Sequence, residues 1–195
     1  MFGFTDPGVD RLSKPELGGG ALLDIGVYAV NIIMLAFGDR PVKSIHATGT
    51  LNEHGVDKEV SGMLTFDSED GEQDAHGQFF ITFQADPPSE ALIVGRDGWV
   101  KLHEPFWCAT TMTIKMKGEP KEKEICFALP ASYDEKRYNF TNSVLLQYEA
   151  RHACEMLNKG AKESEVFGLD KSLQIIKLLD NIRSQVGTSY PADSQ

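Results

Sequence analysis

The chain has 195 residues, 41% of them hydrophobic and 25% charged, which suits one large folded core or two small ones and argues against a disordered tract. Nineteen lysines and arginines face 29 aspartates and glutamates, a net charge of −10, so phosphate backbones and anionic lipid are repelled and neither nucleic-acid nor membrane partners are expected. Three scattered cysteines without a C-x-x-C pair fit neither a disulfide framework nor a thiolate zinc site.

Residues 1–17 carry two prolines and several turn residues and read as an irregular lead-in. They lack the basic and apolar regions of a signal peptide, and a cytoplasmic protein is expected. Gly18, Gly19 and Gly20 then open the segment GGGALLDIGVYAVNIIMLAFG. From Ala21 to Phe37 nearly every residue is apolar, the pattern of a buried helix, stopped by Gly38 and Pro41. The run is short for a membrane span and holds an aspartate. Next comes a β region in which Val60, Leu64 and Phe66, then Phe79, Ile81 and Phe83, then Met112, Ile114 and Met116 alternate with other positions. Turn signals at Asp70-Gly71, Asp97-Gly98 and Lys117-Gly118 separate the strands and imply mostly antiparallel pairing. Two amphipathic helices follow, at about 143–158 and 170–186. The first has the stripe Leu145, Tyr148, His152 and Met156, with Asn142 as a candidate N-cap. The second has Leu173, Ile176, Leu179, Ile182 and Val186, with Gly187 as a C-cap. The expected class is α+β, a mostly antiparallel sheet with helices on one face, and what covers the other face is left open.

The first helix carries polar residues that its apolar pattern does not explain. At about 100° per residue, Asp24, Tyr28 and Asn31 lie at i, i+4 and i+7 on one stripe of an oily helix. A buried carboxylate without a partner is costly. Either Asp24 caps a neighbouring amide and Tyr28 is a packed amphipathic residue, or the two face a cavity. There the carboxylate would accept a hydroxyl's hydrogen bond, and the phenol would give or take its proton. Gly26 between them costs about 1 kcal/mol relative to alanine inside a helix, which suggests close approach by a backbone or a ligand. The glycine triplet reads as a phosphate loop or as a flexible or close-approach loop; no G-x-G-x-x-G or G-x-x-x-x-G-K-[ST] accompanies it. In LHEPFWC, residues 102–108, Trp107 reads as a loop residue or as the wall of an apolar pocket, and Phe140 in YNFTN, residues 138–142, has the same two readings. The five histidines show no metal-ligand spacing, and no G-x-S-x-G elbow exists.

The segment at 18–38 resembles the helix that opens the C-terminal domain of the Gfo/Idh/MocA oxidoreductases, with its glycine pair, aspartate and, four residues on, a histidine or tyrosine. The resemblance extends in blocks such as GVDKEVSGMLTF, LHEPFWC and the terminal VGTSYP. It implies that Tyr28 handles a hydroxyl proton while hydride passes between a substrate carbon and NADP, and that Asp24 orients the substrate. It also implies that Trp107 and Phe140 line the pocket. A phenol titrating near 10 in model peptides needs a nearby cation to act as a base near neutrality. In that family the cation is a lysine of the Rossmann domain, which would precede residue 1 and is not encoded in this sequence. Residues 18–195 are thus expected to be the substrate-binding and dimerisation domain of an NADP-dependent dehydrogenase of a small diol or an aldose such as D-xylose. The resemblance implies an open-faced, mostly antiparallel sheet with helices on one face. The domain would pair with a second copy through its open sheet face, and would not turn over alone. A non-catalytic oligomerisation module or a small-ligand carrier is the alternative.

Overall fold

Period-two alternation organises the first sheet. Strands β1 (Phe2–Gly3), β2 (Val42–Leu51), β3 (Asp57–Phe66) and β4 (Ala75–Thr82) pair in the order β1-β4-β3-β2, antiparallel except for β1 with β4. The register places Ile45, Leu64 and Gly77 in one cross-strand row and Gly49, Val60 and Ile81 in another. Because side chains alternate across a strand, the rows between them point the other way: His46, Met63 and Gln78, then Thr48, Ser61 and Phe80. Val60, Leu64 and Ile81 are fully buried, which identifies the first set as the inner face.

This computed structural model describes residues 1–5, 8–67, 73–130 and 134–194, and its chain divides into two units, residues 1–88 with 174–195, and residues 89–173. In the first unit, short helix α1 (Asp10–Ser13) precedes a π turn (Leu22–Gly26) that runs into helix α2 (Val27–Phe37). Gly38, at φ 63°, ends α2, and its N–H bonds the Met34 carbonyl. Ile25, Ala29, Val30, Ile33 and Met34 are buried, and Ile33 occupies the space that a side chain on Gly77 would take. A Cβ on Gly49 would lie 3.0 Å from Val186, in helix α4 (Leu169–Val186). Gly49 and Gly77 belong to the inner rows, so α2 and the C-terminal part of α4 cover one face, as expected. The segment Pro15–Phe37 is long and apolar enough to cross a membrane by length and composition, yet half of it is buried in the fold, as in a core helix.

In the second unit β5 (Ala91–Gly95), β6 (Gly98–Leu102), β7 (Thr111–Met116) and β8 (Lys123–Cys126) form an antiparallel sheet in chain order. The Asp97-Gly98 and Lys117-Gly118 signals mark its first and last turns, with Gly118 at φ 87°. The third signal, Asp70-Gly71, lies outside the described residues. The architecture is α+β and mostly antiparallel, with the strands divided between two four-stranded ladders.

Three local expectations are corrected. The helix at 143–158 starts as a 3₁₀ turn (Ser143–Leu145) before α3 (Leu146–Asn158), and of its expected stripe only Met156 is buried. Tyr148 points outward, and His152 bonds the Ser164 hydroxyl at 2.8 Å. In α4 the buried residues are Ile175, Leu178, Leu179 and Ile182, while Leu173 and Ile176 are exposed. The adjacent apolar pairs Ile175-Ile176 and Leu178-Leu179 leave two helical phases open, and packing selects one. Asn142 sits at φ 61° ahead of the turn, but its amide donates to the Cys108 carbonyl at 3.1 Å instead of capping a helix N–H. Gly187 ends α4 at φ 92°, its N–H bonding the Arg183 carbonyl at 2.9 Å.

Candidate active site

The π turn carries Asp24, and the first turn of α2 carries Tyr28. A single π turn inserted in an α-helix is rare and is frequent at functional sites; nothing in the residue pattern announced it. The side chains beneath are apolar and buried, whereas Asp24 is partly exposed and Tyr28 is 44% exposed, with Asn31 and Leu35 also outward. The polar stripe therefore lies on the open side of the helix and not in its interior. Asp24 is not a buried orphan: Arg11 Nη1 donates to its Oδ1 at 2.5 Å. That partner is a side chain of α1, so Asp24 is held across elements and not as the cap of a neighbouring amide. The Tyr28 ring meets Phe2 edge-on, centroids 5.7 Å apart. Gly26 is explained by packing: a Cβ there would lie 2.8 Å from Leu22 Cδ1 and 3.0 Å from Ile81 Cδ1. The close neighbour is the core, not a ligand.

The glycine triplet is a close-approach corner. Gly18 is left-handed at φ 70°, the Gly19 and Gly20 N–H groups bond the carbonyls of Lys14 and Leu12, and Gly20 sits at φ 119°. A side chain on Gly20 would meet Asp57 Oδ1 at 2.8 Å. Asp57, 1% exposed, accepts the Leu22 N–H at 2.7 Å and the Thr188 hydroxyl at 3.0 Å. Helix starts leave N–H groups without intrahelical partners and favour negative charge; here the anion is the protein's own. Burial pushes the Asp57 carboxyl above the usual carboxylate range, and the N–H and hydroxyl donors partly offset that rise. Sequence reasoning missed Asp57, although an aspartate beside Val56 at a strand start was the available signal.

Trp107 and Phe140 belong to the second unit, which does not include the helix of Asp24 and Tyr28. Trp107 lies in a 3₁₀ turn (Phe106–Cys108), 38% exposed and edge-on to Phe106 at 5.4 Å. Phe140 is 76% exposed. Their loops are tied together: Asn142 donates to the Cys108 carbonyl, and Cys108 Sγ donates to the Thr141 carbonyl at 3.7 Å. Burial pushes the Cys108 thiol up from its ordinary value, as befits a packing residue.

Residues 2–101 match the family model of the GFO/IDH/MocA C-terminal domain. The chain belongs to the Gfo/Idh/MocA oxidoreductase family. Human trans-1,2-dihydrobenzene-1,2-diol dehydrogenase is 36% identical over 187 residues, which are 96% of this chain and 52% of that protein. The enzyme of the same name from Mus musculus is 32% identical over 194 residues, 100% of this chain and 54% of that protein. The chain thus spans about half the length of the curated relatives it matches. Among solved structures, a 3-ketoreductase from Actinomadura kijaniata in complex with NADP and TDP-benzene superposes with a TM-score of 0.68 at 17% identity, covering 97% of this chain and 53% of that one. Levoglucosan dehydrogenase in complex with NADH and levoglucosan gives 0.68 at 16% identity, covering 93% and 54%. These two likenesses show the fold.

Proposed function

We propose that this chain is the substrate-binding and subunit-pairing half of a cytoplasmic NADP-dependent dehydrogenase acting on trans-dihydrodiols or aldoses such as D-xylose. The observation that carries the reading is the outward-facing pair Asp24 and Tyr28 on a helix that begins with a π turn, in a chain 36% identical to a dihydrodiol dehydrogenase. The chain's own glycine-rich helix start does not fit a pyrophosphate, because the Asp57 carboxylate fills it. The filled helix start supports the reading in which a separate domain holds the nucleotide, and no step through it is derived from these residues.

What these residues do is bind and move a proton. Arg11 occupies Oδ1 of Asp24, and the second carboxylate oxygen accepts a hydroxyl of the diol or sugar, setting the neighbouring carbinol toward Tyr28. As its phenolate, the Tyr28 side chain takes the hydroxyl proton while the carbinol hydride leaves to the NADP that the reading requires, which is general acid–base chemistry contributing roughly 10²–10⁴-fold. Trp107 and Phe140, exposed aromatic side chains on loops joined through Cys108, offer the second unit's own apolar surface for a ligand. A second copy pairs through the face of the first sheet opposite α2, where His46, Thr48, Met63 and Phe80 line an open groove of about 680 Å³.

The test is to join the chain to the nucleotide-binding domain of the human relative and follow NADP-linked oxidation of a trans-dihydrodiol and of D-xylose. Tyr28→Phe is expected to lower turnover at least about 100-fold; full activity in that variant refutes the role. Absence of turnover in the intact fusion, with a stable dimer by sedimentation, would instead favour the non-catalytic module, a reading supported by the filled helix start.

A further inference from the structure

The terminal VGTSYP, at 186–191, does not trail into solvent. Beyond Gly187 the chain folds back on the start of the candidate catalytic helix. Thr188, 3% exposed, donates its hydroxyl to Asp57 Oδ1, and Asp57 Oδ2 accepts the Leu22 N–H, the first residue of the π turn. Tyr190 donates its phenol to the Gly19 carbonyl at 2.7 Å. Arg183 of α4 holds this tail: it donates to both carboxylate oxygens of Asp193 at 2.5 and 2.8 Å, and its guanidinium lies 5.4 Å over the Tyr190 ring. Asp193 also accepts the Tyr190 N–H at 2.8 Å. One connected set of contacts therefore runs from α4 through the tail to the glycine corner and the first strand residue of β3.

We propose that Asp57, held by Thr188 and the tail clasp of Tyr190, Arg183 and Asp193, is a positioning residue that orients Asp24 and Tyr28. The proposal rests on the reading of those two as the reacting pair. Its physical basis is that a buried helix-start N–H demands an acceptor. This acceptor stands at the edge of β3, so it pins the π turn to the sheet two residues before Asp24 and six before Tyr28. Gly20 permits the approach, since any Cβ would collide with the carboxylate. The pin in turn depends on the tail, because the Thr188 hydroxyl is a side-chain donor to the same carboxylate. Misplacing a reacting group by about 1 Å costs up to about 100-fold in rate, so a clasp remote from the substrate has catalytic weight.

The decisive experiment uses Thr188→Val, which removes the donor, and Thr188→Ser, which restores it. On the chain as it stands, hydrogen–deuterium exchange is measured for peptides covering residues 20–28, together with the ring resonance of ¹³C-labelled Tyr28. The valine variant is expected to exchange about tenfold faster there and to shift the Tyr28 resonance, while peptides over β6 and β7 are unchanged. The serine variant is expected to return both to the wild-type values. Unaltered exchange at 20–28, equal acceleration across β2 to β4, or failure of serine to restore overturns the proposal. Tyr190→Phe, which loses the bond to Gly19, gives the same readout should the valine variant not fold. In the fusion with a nucleotide-binding domain, Thr188→Val is expected to lower kcat more than it changes KM. Full turnover in Tyr28→Phe would defeat the catalytic reading while leaving the exchange result intact, so the two failures are separable.

Discussion

Replacing Gly26 by alanine sets two effects against each other, and the structure decides the sign. Alanine gains about 1 kcal/mol in a helix interior. Against it, the new methyl would stand 2.8 Å from Leu22 Cδ1 and 3.0 Å from Ile81 Cδ1. Both neighbours are 0% exposed, so neither can swing away into solvent, and over-packing of this kind costs about 1–3 kcal/mol. The clash wins by up to about 2 kcal/mol. A domain of this size loses about 2–4 °C in Tm per kcal/mol, so a fall of up to about 8 °C in thermal denaturation is expected. The source of the strain is checked by Ile81→Val, which removes Cδ1 and alone costs about 0.5–1.5 kcal/mol. Combined with Gly26→Ala, it should destabilise by about 1 kcal/mol less than the sum of the single changes. A raised Tm in Gly26→Ala, or strict additivity in the pair, would refute the packing account and return Gly26 to the ligand reading.

Asp57 predicts an unusual pH slope. Its carboxyl is raised above 3.8 in the fold, so folding favours the protonated form. The contribution of this group to stability is then fullest below 3.8 and declines as pH rises through the folded value. Urea midpoints at several pH values should therefore show the advantage of wild type over Asp57→Asn shrinking, or its deficit growing, from about pH 3.5 toward neutrality; the reverse slope contradicts the assignment. For the proposed subunit pairing, Met63→Lys places a charge in the middle of the open face of the first sheet. Sedimentation velocity is expected to show a shift from dimer to monomer with the Tm of the monomeric fold retained, and an unchanged dimer excludes that face.

Much of the fold was legible in the chain because it is local. The helix from Ala21 to Phe37 and its stop at Gly38, the alternation through Val60, Leu64 and Phe66, the turns at Asp97-Gly98 and Lys117-Gly118, and the Gly187 cap each follow from residues within a few positions of one another. The spacing of Asp24 and Tyr28 is equally local, and it places the pair on one stripe of the helix. Tertiary structure decided the rest. Which of two apolar phases α4 buries depends on the surface it packs against, and the Leu22 N–H that opens the π turn finds its acceptor in a carboxylate 35 residues away. Arg11 and Thr188 had no signature, and Asp57 only its place beside Val56 at a strand start, because a hydrogen bond between residues distant in sequence leaves no periodic trace in either partner. Sequence patterns encode which side chains leave water; only the folded chain decides which polar groups meet once they have left it.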